Sequence, residues 1–106
     1  MTEIDSLTTL LHQIAKSENL NPPWGLFLFG SSRSEFRAES DVDLLLVYRC
    51  GDEGRARRFR VDARKGAWDL LKLQLDITLL TREEEGAVHF ISRERAKLIL
   101  TSGGAQ

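Results

Sequence analysis

Two short apolar runs, residues 24–29 and 42–48, restrict most strongly the folds that this chain can adopt. Both are rich in leucine and in branched or aromatic side chains, and both are too short for a typical helix. We therefore expect two largely buried strands. The first run ends at Gly30-Ser31, which suggests a tight turn at the end of its strand. Buried strands of this kind need other elements to cover them.

Apolar residues at helical spacing predict two longer helices. One covers residues 6–17, with Asp5 or Ser6 as its N-cap, and the other covers residues 53–72. The second helix carries an apolar stripe made of Phe59, Ala63, Ala67, Leu70 and Leu71.

The remaining elements complete one small domain. Residues 73–79 alternate between apolar and polar side chains, which predicts a third strand with one polar face. Thr81-Arg82-Glu83-Glu84 resembles a capping box that opens another helix, and residues 96–100 are predicted as a last strand before a loose tail, residues 102–106. Strands that alternate with helices indicate one α/β or α+β domain over residues 1–106.

Composition argues against several classes of protein. The chain has 15 Lys and Arg against 16 Asp and Glu, so no overall field favours nucleic acid or an anionic membrane. Cys50 is the only cysteine, and with two scattered histidines, His12 and His89, it argues against a disulfide framework and a zinc site. Residues 1–20 show no basic leader before an apolar run, and no segment approaches a membrane span. We expect a cytoplasmic protein.

Three aspartates are candidates for a metal site. Asp41 and Asp43 are two residues apart at the entrance of a strand, so their side chains project from the same face. Asp76 lies within a strand against the propensity of aspartate, and such conflicts tend to mark functional sites. Carboxylates forced close together repel each other, and hard cations such as Mg²⁺ prefer these oxygen ligands. If the two strands are neighbours, the three carboxylates converge.

Gly30-Ser31 offers a phosphate-binding turn beside those carboxylates. A glycine lets the backbone approach phosphate oxygens, and the exposed N–H groups and the Ser31 hydroxyl can bind them. Carboxylates with bound metals next to such a turn are what phosphoryl or nucleotidyl transfer requires. Ser40, which precedes Asp41, either bonds a phosphate or only caps the turn.

The order and spacing of these motifs resemble the polymerase-beta nucleotidyltransferase superfamily. Leu28-Phe29-Gly30-Ser31 is followed, after nine residues, by Asp41-Val42-Asp43 and an apolar strand. The pattern is most similar to the minimal nucleotidyltransferases. The resemblance covers residues 24–80 and continues more loosely to residue 100.

This resemblance implies a small mixed sheet flanked by helices, and a nucleotidyltransferase that moves a nucleoside monophosphate, AMP by preference, from an NTP to an acceptor hydroxyl. By the same resemblance, Gly30 and Ser31 hold the nucleotide, with ATP expected. Asp41 and Asp43 bind Mg²⁺, and Asp76 completes the metal site and can act as the base. The resemblance also implies an antitoxin whose partner and acceptor is a HEPN-type toxin. A homo-oligomer is left open.

The loop between the two motifs departs from the family pattern. Many members carry a second glycine within a run like Ala-Arg-Gly, whereas this chain has Arg33-Ser34-Glu35-Phe36 in a shorter loop. This departure fits an alternative function, a non-catalytic module of the same fold that neutralises a partner by forming a complex. Arg33 and Arg37 either reach the triphosphate or are simply solvated.

The helix predicted over residues 53–72 carries one more candidate surface. Six basic residues between positions 55 and 65 invite an RNA-binding interpretation, but they spread around the helix without an aromatic ladder, so nucleic acid is disfavoured. An exposed tryptophan flanked by arginine is typical of a protein interface; the alternative is that another segment of the chain covers it. The row in question, away from the apolar stripe, is Arg57, Val61, Arg64 and Trp68.

Overall fold

A computed structural model describes residues 3–30 and 41–105, and within these residues the chain forms four helices and five strands. The helices are α1 (Glu3–Glu18), α2 (Glu53–Leu71), α3 (Arg82–Val88) and α4 (Phe90–Glu94). The strands are β1 (Gly25–Phe29), β2 (Val42–Tyr48), β3 (Leu75–Thr81), β4 (Lys97–Thr101) and β5 (Gly104–Ala105).

The strands form one mixed sheet in the order β3-β2-β1-β4-β5. Only β2 and β3 are parallel, and α2 makes the crossover between them. Because β1 runs antiparallel to β2, its last residue lies at the same end of the sheet as the first residues of β2 and β3. Phe29 is the register partner of Asp43, and Asp43 is the register partner of Asp76. The strand ends that carry the candidate residues are therefore neighbours.

One face of the sheet is covered by α1 and α2. Among the described residues, Phe59 is the largest fully buried side chain, and it packs in the core that α1 and α2 form against alternate residues of the strands. This core includes Leu7, Leu11, Leu26, Leu28, Val42, Leu44, Leu46, Ala63, Ala67, Leu75, Ile77 and Leu100. Among the described helices, none is long and apolar enough to cross a membrane.

The predicted elements are confirmed in type, with corrections at their ends. Helix α1 begins at Glu3, so Asp5 and Ser6 lie inside it and neither is the N-cap that the sequence predicted. The third strand begins at Leu75 rather than at residue 73, because Lys72 adopts a left-handed conformation that ends α2 and sends Leu73 into the core from the turn.

Two further predictions were wrong. Leu70 does not belong to the buried stripe and is 71% exposed, since the i+4 line from Phe59 through Ala67 leads to Leu71 instead. The segment predicted as a loose tail contains β5, which pairs with β4 through a turn whose Gly103 N–H donates to Thr101 Oγ1 at 3.1 Å. A glycine-rich segment can form this ladder because the pairing uses main-chain groups alone.

The predicted capping box at the start of α3 is confirmed. Thr81 N donates to Glu84 Oε1 at 2.8 Å, and Glu84 N donates to Thr81 Oγ1 at 3.1 Å. The two bonds satisfy main-chain donors that a helix start leaves without partners.

Asp52 joins the start of α2 to the connection between α1 and β1. Its buried carboxylate accepts hydrogen bonds from Asn21 N at 2.9 Å, from Asn21 Nδ2 at 3.2 Å and from Arg55 at 3.0 Å. Burial alone raises the pKa of Asp52, but the hydrogen bonds from Asn21 and Arg55 and the charge of Arg55 outweigh it and hold that pKa below its usual value.

Asp52→Ala is expected to lower the free energy of unfolding by about 2 kcal/mol at pH 7. Most of this loss comes from Asn21, which loses a charged acceptor, because Arg55 is partly exposed and its ion pair with Asp52 contributes little. The ionised carboxylate stabilises the fold above its unfolded-state pKa of about 3.9, and this contribution is lost as the pH falls through the lower folded-state pKa. In urea unfolding experiments, the difference in the free energy of unfolding between the wild-type protein and Asp52→Ala should therefore become smaller below about pH 4. Asp62→Ala, at an exposed position of α2, is the matched control; an equal loss there would contradict the assignment.

Candidate functional site

Gly30 and Asp43 lie against each other where β1 ends and β2 begins. Gly30 has a φ of +72°, in the left-handed region that favours glycine, and a Cβ built on it would overlap Asp43 Oδ2. The backbone at Gly30, directly after Phe29, therefore lies in contact with the Asp43 carboxylate. The structure brings together the two halves of the predicted motif, which are separated along the chain.

The three aspartates lie at this same end of the sheet. Asp43 and Asp76 are register partners on adjacent parallel strands, so their side chains share a face. Val42 N donates to the Gln74 carbonyl oxygen at 2.8 Å, which holds the start of β2 beside the start of β3 and brings Asp41 with it. Asp43 is half-buried, whereas Asp41 and Asp76 are exposed.

The charges of these residues interact. Burial raises the pKa of Asp43, and the neighbouring carboxylates of Asp76 and Asp41 raise it further. A cation between such groups relieves their repulsion, and carboxylate oxygens are the ligands that Mg²⁺ prefers. Within residues 3–30 and 41–105, no three acidic, histidine or cysteine side chains already lie close enough to hold a metal ion. The donor set fits a hard cation, and its binding would draw the carboxylates closer together.

The other predicted nucleotide-binding residues lie outside the described part of the chain. These are Ser31 and Ser40, together with the loop arginines Arg33 and Arg37. Their roles at the phosphates stay predictions.

Helix α4 approaches the same end of the sheet, which the sequence did not predict. The Phe90 ring meets the Phe29 ring edge-on, with centroids 4.9 Å apart. The Arg93 guanidinium lies 5.7 Å from the centroid of Phe90. Phe90 thus supports the end of β1 immediately before Gly30 and carries an arginine with it. No local pattern could have revealed this contact, because it joins segments far apart in the chain.

A cleft of about 610 Å³ opens beside the carboxylates, between α2 and the start of β3. We call it the α2 cleft; it is lined by Val61, Arg64, Lys65 and Trp68 of α2, by Leu73, Gln74 and Leu75, and by Asp41 and Asp76. Trp68 is 49% exposed, so the described part of the chain covers only about half of it, and of the two alternatives left open by the sequence this favours an accessible tryptophan. The sequence did not indicate that three members of this row, Val61, Arg64 and Trp68, line a cleft together with Asp41 and Asp76, and Arg57 lies outside this cleft.

Comparison with known proteins gave one match. The sequence model of the family described as nucleotidyltransferase domain matches residues 11–100, from the middle of α1 to β4, and the matched segment includes Gly30 and all three aspartates. Searches of curated proteins and of solved structures found no match.

Proposed function

This chain belongs to the nucleotidyltransferase domain family, and from that premise we propose that it transfers a nucleoside monophosphate from an NTP, with ATP expected, to a hydroxyl group on a partner protein. The observation that carries the proposal is the contact of Gly30 with the Asp43 carboxylate, next to the register partner Asp76. It joins a turn suited to phosphate with carboxylates suited to a divalent cation.

Each residue has a separate task in this proposal. Gly30 and Ser31 hold the triphosphate through main-chain N–H groups and a hydroxyl. Asp41, Asp43 and Asp76 are the residues that would hold Mg²⁺, which when bound offsets the charge that develops on the phosphate oxygens. Asp76, which is more exposed than its register partner Asp43, also accepts the proton of the acceptor hydroxyl.

The reaction is a displacement at the α-phosphorus. The acceptor oxygen forms a bond to the α-phosphorus, and the bond from that phosphorus to the oxygen bridging to the β-phosphorus breaks. Pyrophosphate leaves with the electron pair of the broken bond, and the hydroxyl proton passes to Asp76. The main contribution of the protein is to hold donor and acceptor in line, which alone can lower the activation barrier by several kcal/mol.

A protein acceptor is supported by the surface next to the carboxylates. The half-exposed Trp68 and Arg64 lie in the same cleft as Asp41 and Asp76, and an exposed tryptophan beside arginine is typical of the centre of a protein interface. We propose that the partner is a HEPN-type toxin and that the chain acts as its antitoxin.

The position of the label on the nucleotide tests this function. The protein is incubated with Mg²⁺ and each NTP, labelled on either the α- or the γ-phosphate, with and without its co-purifying partner. Label from the α-phosphate should appear on the partner, and label from the γ-phosphate should not, because pyrophosphate leaves. Label from the γ-phosphate on the partner would indicate phosphoryl transfer and contradict the proposal.

A second candidate function is favoured by the loop sequence. Arg33-Ser34-Glu35-Phe36 replaces the glycine-containing run of many family members. A protein that keeps the fold, but whose loop no longer binds the triphosphate productively, would neutralise its partner by binding alone. Tight binding of the partner without label from any NTP would support this second candidate.

A further inference from the structure

The α2 cleft reaches the carboxylates from the side opposite Gly30. Across the end of the sheet, Gly30 follows β1, Asp43 lies in β2 and Asp76 lies in β3, the outermost of the described strands on that side. The cleft is lined by Leu75 and Asp76 of β3 and by Asp41 immediately before β2, whereas Gly30 does not line it. A displacement at phosphorus has its attacking and leaving oxygens on opposite sides. A donor held at Gly30 therefore leaves the α2 cleft on the acceptor side.

The walls of the cleft combine positive charge with apolar surface. Arg64 and Lys65 line it directly, and Lys72 Nζ lies 5.6 Å from the centroid of the Trp68 ring. Trp68 and Val61 are 49% and 62% exposed. Arg64 and Lys65 in the walls and Lys72 near the indole favour a ligand that carries apolar groups and negative charges, with the charges placed away from the Asp41 and Asp76 carboxylates.

The edge of the sheet favours a polypeptide as that ligand. The Gln74 carbonyl bonds Val42 in β2, so in a parallel ladder the main-chain groups of Leu75 and Ile77 point the other way, toward the outer edge beside the cleft. An extended polypeptide can add to such an edge through its own main chain. Single-stranded RNA is usually held by several stacking platforms, and among the residues that the structure describes Trp68 is the one aromatic side chain in the walls of this cleft.

We propose that the α2 cleft binds an extended acidic segment of the partner protein and presents a Ser, Thr or Tyr hydroxyl of that segment to Asp76. Arg64, Lys65 and Lys72 select the acidic side chains, and Trp68 packs against an apolar one. The transfer step rests on the proposed function, but binding of the segment can be measured without any nucleotide.

The test uses two fluorescein-labelled peptide pools and the full chain. Both pools have an equal mixture of Ser, Thr and Tyr at the centre and random apolar residues beside it; one has Asp and Glu flanks and the other has Lys and Arg flanks. A labelled oligouridylate is the third probe. In fluorescence anisotropy without nucleotide, the acidic pool should bind at least about tenfold more tightly than either of the other probes.

Variants locate the binding. Arg64→Glu with Lys65→Glu should weaken binding of the acidic pool by at least about tenfold, and Trp68→Ala should also weaken it. The matched control is Arg57→Glu with Arg60→Glu, which makes the same change of charge on α2 outside the cleft and should leave binding within about twofold.

The results separate failure of the cleft from failure of the proposed function. Absence of binding by the acidic pool, equal binding by the basic pool or RNA, or equal loss in the control variant would contradict the cleft assignment. So would undiminished transfer of α-phosphate label to the partner by Arg64→Glu with Lys65→Glu, and this result would leave the proposed function intact. The peptide pools are also incubated with Mg²⁺ and NTP labelled on the α-phosphate. Binding that depends on the cleft, without transfer of α-phosphate label to any peptide, would support the docking surface and contradict the transfer.

Discussion

Nucleotidyl transfer by the variant Asp41→Asn with Asp43→Asn is expected to fall by at least about 10³-fold, while the domain stays folded. Asparagine keeps the shape of each side chain but removes the charge that would hold Mg²⁺. The stability should not fall, because the change relieves the repulsion that contributes to the raised pKa of Asp43. Rates of label transfer and urea unfolding curves, measured on the same preparations, check both parts of this prediction.

The matched control for this variant is Asp62→Asn with Asp69→Asn. Both control positions are exposed on α2 and outside the cleft, so the same chemical change there should leave transfer unaltered. Unchanged transfer by Asp41→Asn with Asp43→Asn would disprove the site assignment. Partner neutralisation by this variant separates the two candidate functions, since retained neutralisation means that binding is sufficient and lost neutralisation means that chemistry is required.

Gly30→Ala is expected to lower transfer by at least about 100-fold. The new Cβ would clash with Asp43 Oδ2, so either the carboxylate or the backbone at Gly30 must move. The left-handed backbone of Gly30 adds a cost of about 1 kcal/mol to the folded state. The increase in the activation free energy of transfer should therefore be larger than the decrease in the free energy of unfolding.

Gly51→Ala is a close control for that prediction. Gly51 also has a positive φ, +98°, but a Cβ there would meet no atom within 4 Å. The two variants share the cost of a left-handed alanine, and only Gly30→Ala displaces a carboxylate. If both variants lowered transfer equally, the contact between Gly30 and Asp43 would have no special role.

Local patterns were sufficient for most of the elements. The strand predicted over residues 42–48 has the same bounds as β2, because an uninterrupted apolar run between polar turns leaves few alternatives. Asp41 and Asp43 were placed together by strand alternation, and Gly30 was joined to them by the family spacing. Leu70 and Leu71 lie three and four residues after Ala67, and both spacings are compatible with one face of a helix. The sequence therefore placed both in the buried stripe, although only Leu71 packs against the core.

Contacts between distant segments could not be predicted in the same way. The register between Asp43 and Asp76 depends on where α2 ends and β3 begins, and a change of one residue would send Asp76 to the opposite face. The edge contact of Phe90 with Phe29 depends on the path of α3 and α4 over the sheet. The α2 cleft likewise depends on tertiary structure, because it is lined both by Trp68 of α2 and by Leu73 and Gln74 of the turn that follows α2.

Intact mass spectrometry of the co-purified partner, after incubation with ATP and Mg²⁺, tests the central claim most directly. With the wild-type chain, the partner should gain the mass of one or more AMP groups, and with Asp41→Asn and Asp43→Asn it should gain none. A partner that stays unmodified while bound to the wild-type chain, with every NTP tried, would contradict the claim that this site transfers nucleotides.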